Sequence, residues 1–520
     1  MKFFNTVGPI NPEKHYYIPG RLNEQEIKTL IEQEKYYILH APRQSGKTTV
    51  IKALAQQLNN EGTYKALYVN IESAQAARSD FIEGLLIILR QMQEAIEDTF
   101  GLQEEGLGFF KKELNRITIS GYALGSFLRF WSQHSEKKII LFFDEIDSLV
   151  GDTLISVLRQ LRTGYADRPE SFPQSVCLVG VRDVRDYIIW SDKQNEMVLG
   201  GSAFNIKAKS LVLADFTPEQ VRNLYLQHTQ ETGQQFTDEA LSYVFYLTQG
   251  QPWLTNALAY QACFEDVVDR TETITKEVIE RAKETLIFRQ DTHLDVLMSR
   301  LKEDRVYRVI DEIISGASIN PRFTDEDVKY VADLGLVKQN SQNIWISNPI
   351  YQEILPRALA STMQKRFGGQ SVDYVNLDGS LNMKKFLEKF TQFYRENSEI
   401  WMVGEIYQES APHIIMMAFL QRVINGGGTI HREYALGRKR VDLLVVWQAG
   451  KQRIVIELKV WRSKNTLEEG LTQTSEYMDK SNATEGHLVI FDRRLEKTWD
   501  EKVYHRQETV DHKIIDVWGI

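Results

Sequence analysis

The stretch His40-Ala41-Pro42-Arg43-Gln44-Ser45-Gly46-Lys47-Thr48-Thr49 leaves few folds open to this chain. An apolar run, Tyr36-Tyr37-Ile38-Leu39, precedes it and predicts a buried strand. Val50, Ile51, Leu54 and Leu58 follow at helical spacing. Strand, tight loop and helix form the context that a phosphate-binding loop requires. Gln44, Ser45, Gly46, Lys47, Thr48 and Thr49 would turn backbone N–H groups toward one point, where the helix dipole favours an anion. Lys47 would reach the β- and γ-phosphates, and the Thr48 hydroxyl would hold Mg²⁺. The first glycine of the usual pattern is replaced by Ala41, which is tolerable if its φ is negative.

A second stretch completes such a site. Ile139-Ile140-Leu141-Phe142-Phe143 runs into Asp144-Glu145 and reads as a buried parallel strand with acids at its carboxyl end. Asp144 can hold the water shell of Mg²⁺, and Glu145 is placed to polarise an attacking water. Residues 65–71 predict a further strand and residues 79–95 a helix. The glycines Gly101, Gly106 and Gly108 mark a less regular region over 96–135.

The chain has 520 residues, 42% hydrophobic and 26% charged, which predicts a globular protein of about three or four domains. No apolar run approaches a membrane span, so no membrane partner is expected. Cys177 and Cys263 lie in apolar contexts and read as buried thiols of a reducing, cytoplasmic compartment. The net charge of −9 means that nucleic-acid binding would need a local basic patch.

Further motifs bring resemblances. Val176–Val181 is a strand ending in Arg182-Asp183, where AAA+-related ATPases of the STAND class carry a sensor residue; the resemblance implies that Arg182 reports the γ-phosphate. Pro218 follows Thr217 at a helix start, and Gly250-Gln251-Pro252 resembles the Gly-x-Pro motif of that class, with Pro252 opening a helix against the nucleotide. Gly20-Arg21 matches the segment that lines the adenine pocket in many P-loop ATPases, ahead of a helix over 24–34. Residues 294–360 resemble a winged-helix domain: a helix over 304–315, a second over 325–334, strands at 335–337 and 344–346, and a last helix opened by Asn348-Pro349. Asp325, Glu326 and Asp327 make the second helix acidic, which argues against insertion into a major groove.

The last quarter of the chain carries another constellation. Lys439–Trp447 and Arg453–Val460 predict a hairpin presenting Asp442, Glu457 and Lys459, the last two on one face. Two carboxylates can bind Mg²⁺, or Mn²⁺ in its place, for phosphodiester cleavage, and a lysine can stabilise developing charge. Glu409 on a preceding helical stretch could complete the metal shell. Gln473 and Tyr477 share a face of the following helix. Together these residues resemble the PD-(D/E)XK nuclease superfamily, with Val441 where the proline usually stands. Residues 430–464 hold nine Lys or Arg against three acids, a local basic patch.

The expected architecture is α/β and multidomain. Residues 1–210 form a P-loop ATPase core with a parallel sheet of AAA+ type, 211–293 a helical lid, and 294–360 a winged helix. Residues 361–395 are a linker and helix, and 396–520 a restriction-endonuclease-like α/β domain. The resemblances imply ATP and Mg²⁺ as cofactors, nucleic acid (chiefly DNA) as partner, homo-oligomerisation on ATP binding, and a place in prokaryotic defence or mobile-element biology. The alternative is a nucleotide-switched oligomerising sensor whose C-terminal domain binds DNA or a protein without cutting.

Overall fold

The computed structural model describes residues 1–112, 121–183, 186–191, 196–199, 204–289, 292–315, 323–340, 343–355, 374–376, 378–402, 416, 420, 428–432, 443–447, 451–461, 463, 465–492, 494 and 496–520. It divides into two compact units. The first comprises Met1–Asp291 with the short segment Ala332–Leu336, and the second comprises Thr292–Val331 and Val337–Ile520.

The first unit is built on α1 (Glu24–Glu32), β1 (Tyr36–His40), α2 (Lys47–Glu61), β2 (Tyr64–Asn70), α3 (Phe81–Phe100), α4 (Leu107–Lys112), α5 (Ala123–His134), β3 (Lys138–Asp144), α6 (Gly151–Gly164) and β4 (Ser175–Gly180). A hairpin, β5 (Ile188–Ser191) and β6 (Glu196–Leu199), precedes β7 (Lys207–Val212). Five strands lie in the order β2-β3-β4-β1-β7, with every neighbouring pair parallel. Alternation along β1 sends Tyr36 and Ile38 into one apolar layer and Tyr37 and Leu39 into the other, so both faces of the sheet are covered. Such a sheet presents its carboxyl ends as the place for a ligand.

Two sequence expectations shift here. Helix α3 runs on to Phe100 and stops only at Gly101, whose φ is +86°. The region read as irregular contains α5, with Leu124, Phe127, Leu128 and Trp131 buried at helical spacing; the glycines upstream obscured that periodicity.

The helices α7 (Pro218–Thr232), α8 (Asp238–Thr248), α9 (Pro252–Tyr260) and α10 (Lys276–Arg289) follow the sheet. Thr217 and Gln220 form a reciprocal capping box at the start of α7, with Pro218 in the first turn.

The second unit contains α11 (Thr292–Arg300), α12 (Asp304–Ser315), α13 (Asp325–Asp333, whose last two residues belong to the first unit), β8 (Val337–Gln339) and β9 (Ile344–Ile346). β8 and β9 pair antiparallel. β8 begins two residues later than the expected strand, because Gly335 turns the chain at φ +82°. The acids at the start of α13 serve the helix itself: Asp327 accepts from the Thr324 N–H at 3.0 Å, and all three favour the positive end of the dipole.

Beyond α14 (Met383–Met402) lie β10 (Gly428–Arg432), β11 (Leu443–Trp447), β12 (Gln452–Val460), α15 (Asn465–Ser481), β13 (Glu485–Phe491), α16 (Trp499–Lys502), β14 (Tyr504–Val510) and β15 (Lys513–Gly519). Six strands run in the order β10-β11-β12-β13-β15-β14. β11 and β12 form the expected antiparallel pair, whereas β12 and β13 are parallel, joined through α15. Helix α15 packs on one face, where Tyr477 and Met478 meet Leu444, Val455 and Leu488.

Candidate functional site

In the first unit, β1 delivers its loop between β4 and β7. Ala41 is buried and donates its N–H to the Gly180 carbonyl at 3.3 Å. The left-handed residues of the loop are Gln44 (φ +57°) and Gly46 (φ +88°), so the alanine does not occupy a position that needs glycine. Gly46 stands at the N-cap of α2 with no side chain capping the helix start. The Ser45 hydroxyl is buried, with no hydrogen-bond partner among the described residues. Lys47 is buried and donates to the carbonyls of Ala41 at 2.9 Å and Pro42 at 3.0 Å. Burial lowers its affinity for a proton, while Glu145, Asp147 and Asp144 work the other way. An uncapped helix start, an unmatched buried hydroxyl and a buried lysine together fit a polyphosphate.

Asp144 ends β3, fully buried, beside this loop. Its Oδ2 accepts from the Thr48 hydroxyl at 2.7 Å and from the Tyr68 hydroxyl at 2.9 Å, and its Oδ1 accepts from the Glu145 N–H at 2.9 Å. Thr48 and Asp144 therefore meet directly, and their oxygens suit Mg²⁺. Glu145 is held at φ +61°, a costly backbone conformation for a residue with a Cβ. Burial, then Asp147 and Asp144, raise its carboxyl above the usual range. Asp147 accepts from the Val181 N–H at 3.1 Å and so ties the acidic turn to the end of β4.

Arg21 bridges three parts of the unit. It donates to the Ser45 carbonyl at 2.6 Å and the Ala214 carbonyl at 2.6 Å, and its guanidinium lies 4.6 Å from the centre of the Phe216 ring. Burial pulls its pKa down to about 10. Gly20 precedes it at φ +66°. Thr49 accepts the Ile10 N–H at 3.2 Å, and Trp253 donates to the Thr6 carbonyl at 2.9 Å, so the N-terminal segment is fixed to both α2 and α9. Pro252 opens α9, as expected. Gly250 (φ +77°) lies against Phe216, whose N–H donates to the Gly250 carbonyl at 2.8 Å. Arg182 pairs with Asp333 at 3.2 Å, and Gly335 packs on Pro42 of the loop. Tyr68, Asp147, Phe216 and Asp333 were not legible as site residues, because register and tertiary contact, rather than spacing, bring them in.

In the second unit, Glu457 and Lys459 lie on one face of β12, with 1% and 8% of their surface exposed, and form an ion pair at 2.5 Å. The Lys459 ammonium also donates to Gln473 Oε1 on α15. Tyr477, one turn on, is buried on the same helix. Glu409 and Asp442 lie outside the described residues, as do Arg438, Lys439, Arg440, Arg462 and Lys464 of the basic patch. Among the described residues no group of three or more His, Cys, Asp or Glu could hold a metal ion. Both cysteines are buried free thiols, and no described helix is long and apolar enough to cross a membrane.

An AAA-like domain family matches residues 5–357, which is most of the chain. The chain belongs to this AAA-like domain family. The AAA-like domain thus takes in the loop, Asp144, the helices after the sheet and the β8–β9 hairpin. A domain of unknown function (DUF8371) matches residues 382–494, including Glu457, Lys459, Gln473 and Tyr477. No curated protein sequence matches the chain. Among solved structures, the Walker-type ATPase PABY2304 of Pyrococcus abyssi is 14% identical, covers 68% of this chain and 99% of its own, and has a TM-score of 0.48. Cdc6p from Pyrobaculum aerophilum is 15% identical, with 68% and 97% covered and a TM-score of 0.35. The Aeropyrum pernix Orc1 protein in complex with DNA is 15% identical, with 66% and 93% covered and a TM-score of 0.30.

Proposed function

We propose that the chain binds and hydrolyses ATP in its AAA-like domain and uses the nucleotide to regulate a Mg²⁺-dependent nuclease in its C-terminal domain, acting on DNA. The observation that carries the nuclease reading is the buried Glu457–Lys459 pair under Gln473. A buried ion pair is on balance no more stabilising than apolar residues of the same volume, so chemistry is the better reason for its presence. Parallel β12 and β13 joined through α15, with antiparallel β11 alongside, suit the PD-(D/E)XK reading. Asp442 and Glu409 are assigned to the metal beside Glu457 by that resemblance, and Tyr477 to the support of Gln473. Residues 294–360 are read as a winged helix and 361–395 as the connection to the nuclease-like domain.

In the ATPase site, Lys47 would hold the β- and γ-phosphates, Thr48 and Asp144 would hold Mg²⁺, and Glu145 would orient and deprotonate the attacking water. Mg²⁺ would neutralise the phosphates and the developing charge. Gly20, Arg21 and Pro252 are assigned to the base side and Arg182 to the γ-phosphate.

A second reading draws on the Arg182–Asp333 pair: a nucleotide-switched, oligomerising sensor of STAND type whose C-terminal domain binds DNA or a protein without cutting. In it, a γ-phosphate competes with Asp333 for the guanidinium. One experiment separates the two. Full-length protein with Mg²⁺ or Mn²⁺ and ATP should cleave plasmid or single-stranded DNA, and Glu457→Ala with Lys459→Ala should abolish cleavage while ATP hydrolysis continues. DNA binding and ATP-dependent assembly without any cleavage would favour the sensor.

A further inference from the structure

Asp144 receives one hydrogen bond more than a P-loop and its acid require. Tyr68 supplies it from β2, the edge strand, where Tyr68 stands opposite Phe142 and Asn70 opposite Asp144. Its ring reaches two residues along β3 to place the hydroxyl on Oδ2, the atom that also takes the Thr48 hydroxyl. The two donors have different futures. Thr48 is the residue whose oxygen would also be called on by Mg²⁺, whereas a phenol on a neighbouring strand has no such second task. The Lys52 ammonium of α2 lies 4.8 Å from the centre of the ring and makes no contact of its own with Asp144 among the described hydrogen bonds and ion pairs. A phenol carries its hydrogen at ordinary pH, so toward this carboxylate oxygen the hydroxyl is the donor.

We propose that Tyr68 is a positioning residue for the magnesium carboxylate: its hydroxyl, together with that of Thr48, holds the Asp144 carboxylate in the orientation that would face the metal. This rests on the nucleotide-site reading above. Without Tyr68 the carboxylate would keep only the Glu145 N–H on Oδ1 and the Thr48 hydroxyl on Oδ2, and loss of such a supporting hydrogen bond characteristically weakens metal sites by about tenfold to a hundredfold.

The ring of Tyr68 also borders a polar cavity of about 590 Å³ between α2 and α3, lined by Asn59, Gln91 and Asp98 among others. Tyr68→Phe keeps the ring and its contacts and removes only the hydroxyl, so it should fold.

The test compares full-length wild type, Tyr68→Phe and Lys52→Met. Fluorescent ADP binding is titrated in EDTA and across Mg²⁺ concentrations, and Mn²⁺ binding in the presence of ADP is followed by electron paramagnetic resonance. Tyr68→Phe should bind ADP in EDTA as wild type does, yet need about tenfold more Mg²⁺ and hold Mn²⁺ about tenfold more weakly. A merely structural role would instead lower the unfolding midpoint and nucleotide affinity in EDTA alike. An unchanged metal requirement in Tyr68→Phe, or an equal shift in Lys52→Met, which keeps the hydroxyl, overturns the inference and leaves the nucleotide site standing. A wild type that binds no nucleotide with or without metal overturns both.

Discussion

Lys47 is a cation held away from water whose hydrogen bonds go to two carbonyls of its own loop. That arrangement is self-satisfied but replaceable, because phosphate oxygens are better acceptors for an ammonium than neutral carbonyls. Lys47→Ala should weaken ATP binding by about tenfold to a hundredfold, the worth of a charge-assisted hydrogen bond, as read by fluorescent-nucleotide titration. Retained affinity would move the phosphate site elsewhere. Glu145→Gln keeps the shape of the side chain and removes only its capacity to take a proton. It should bind ATP normally and turn over at least about a hundredfold more slowly in single-turnover assays; equal turnover would remove Glu145 from the chemistry. These residues were legible because their spacing within a strand–loop–helix and at a strand's end is local. Tyr68 and Asp333 were not. Tyr68 reaches Asp144 from the neighbouring strand, and Asp333 reaches Arg182 from 151 positions away in the chain.

At the scale of elements, the turn before α9 is more constrained than its residues suggest. Gly250 is left-handed, and a Cβ there would lie 2.0 Å from the Phe216 carbonyl oxygen, a backbone atom that cannot step aside. Phe216 in turn carries the Arg21 guanidinium on its ring. Gly250→Ala should therefore cost about 1–3 kcal/mol from backbone strain alone, seen as a lower denaturant midpoint, and should loosen nucleotide binding through Arg21. Thr217→Ala removes only a helix cap and should cost about 1 kcal/mol without touching nucleotide affinity. If both variants lose nucleotide equally, Gly250 acts through general stability and not through Phe216. The start of α7 and the opening of α9 could be read from Thr217-Pro218 and Pro252, since capping and proline chemistry are sequence-local. The strand order β2-β3-β4-β1-β7 could not, because nothing within a strand names its neighbour.

Across the whole molecule, the question is whether one end of the chain governs the other. Glu457→Ala alone is a poor probe, since it strands the Lys459 ammonium in a site where that residue is 8% exposed. Breaking one half of a buried pair costs about 3–5 kcal/mol, so lost cleavage could reflect lost fold. The double substitution removes both charges, and its unfolding midpoint should lie above that of the single variant. If cleavage is absent from the double variant while its ATP hydrolysis equals wild type, the C-terminal pair is chemical and the AAA-like domain runs without it. The reciprocal variant gives the direction of control. With Lys47→Ala, DNA cleavage should cease to respond to ATP, whatever its basal level, because the proposed nuclease residues Glu457 and Lys459 belong to a different part of the chain. Cleavage by Lys47→Ala that still rises or falls with ATP would mean that the nucleotide acts somewhere other than the loop after β1, and the link between the two sites would have to be sought there.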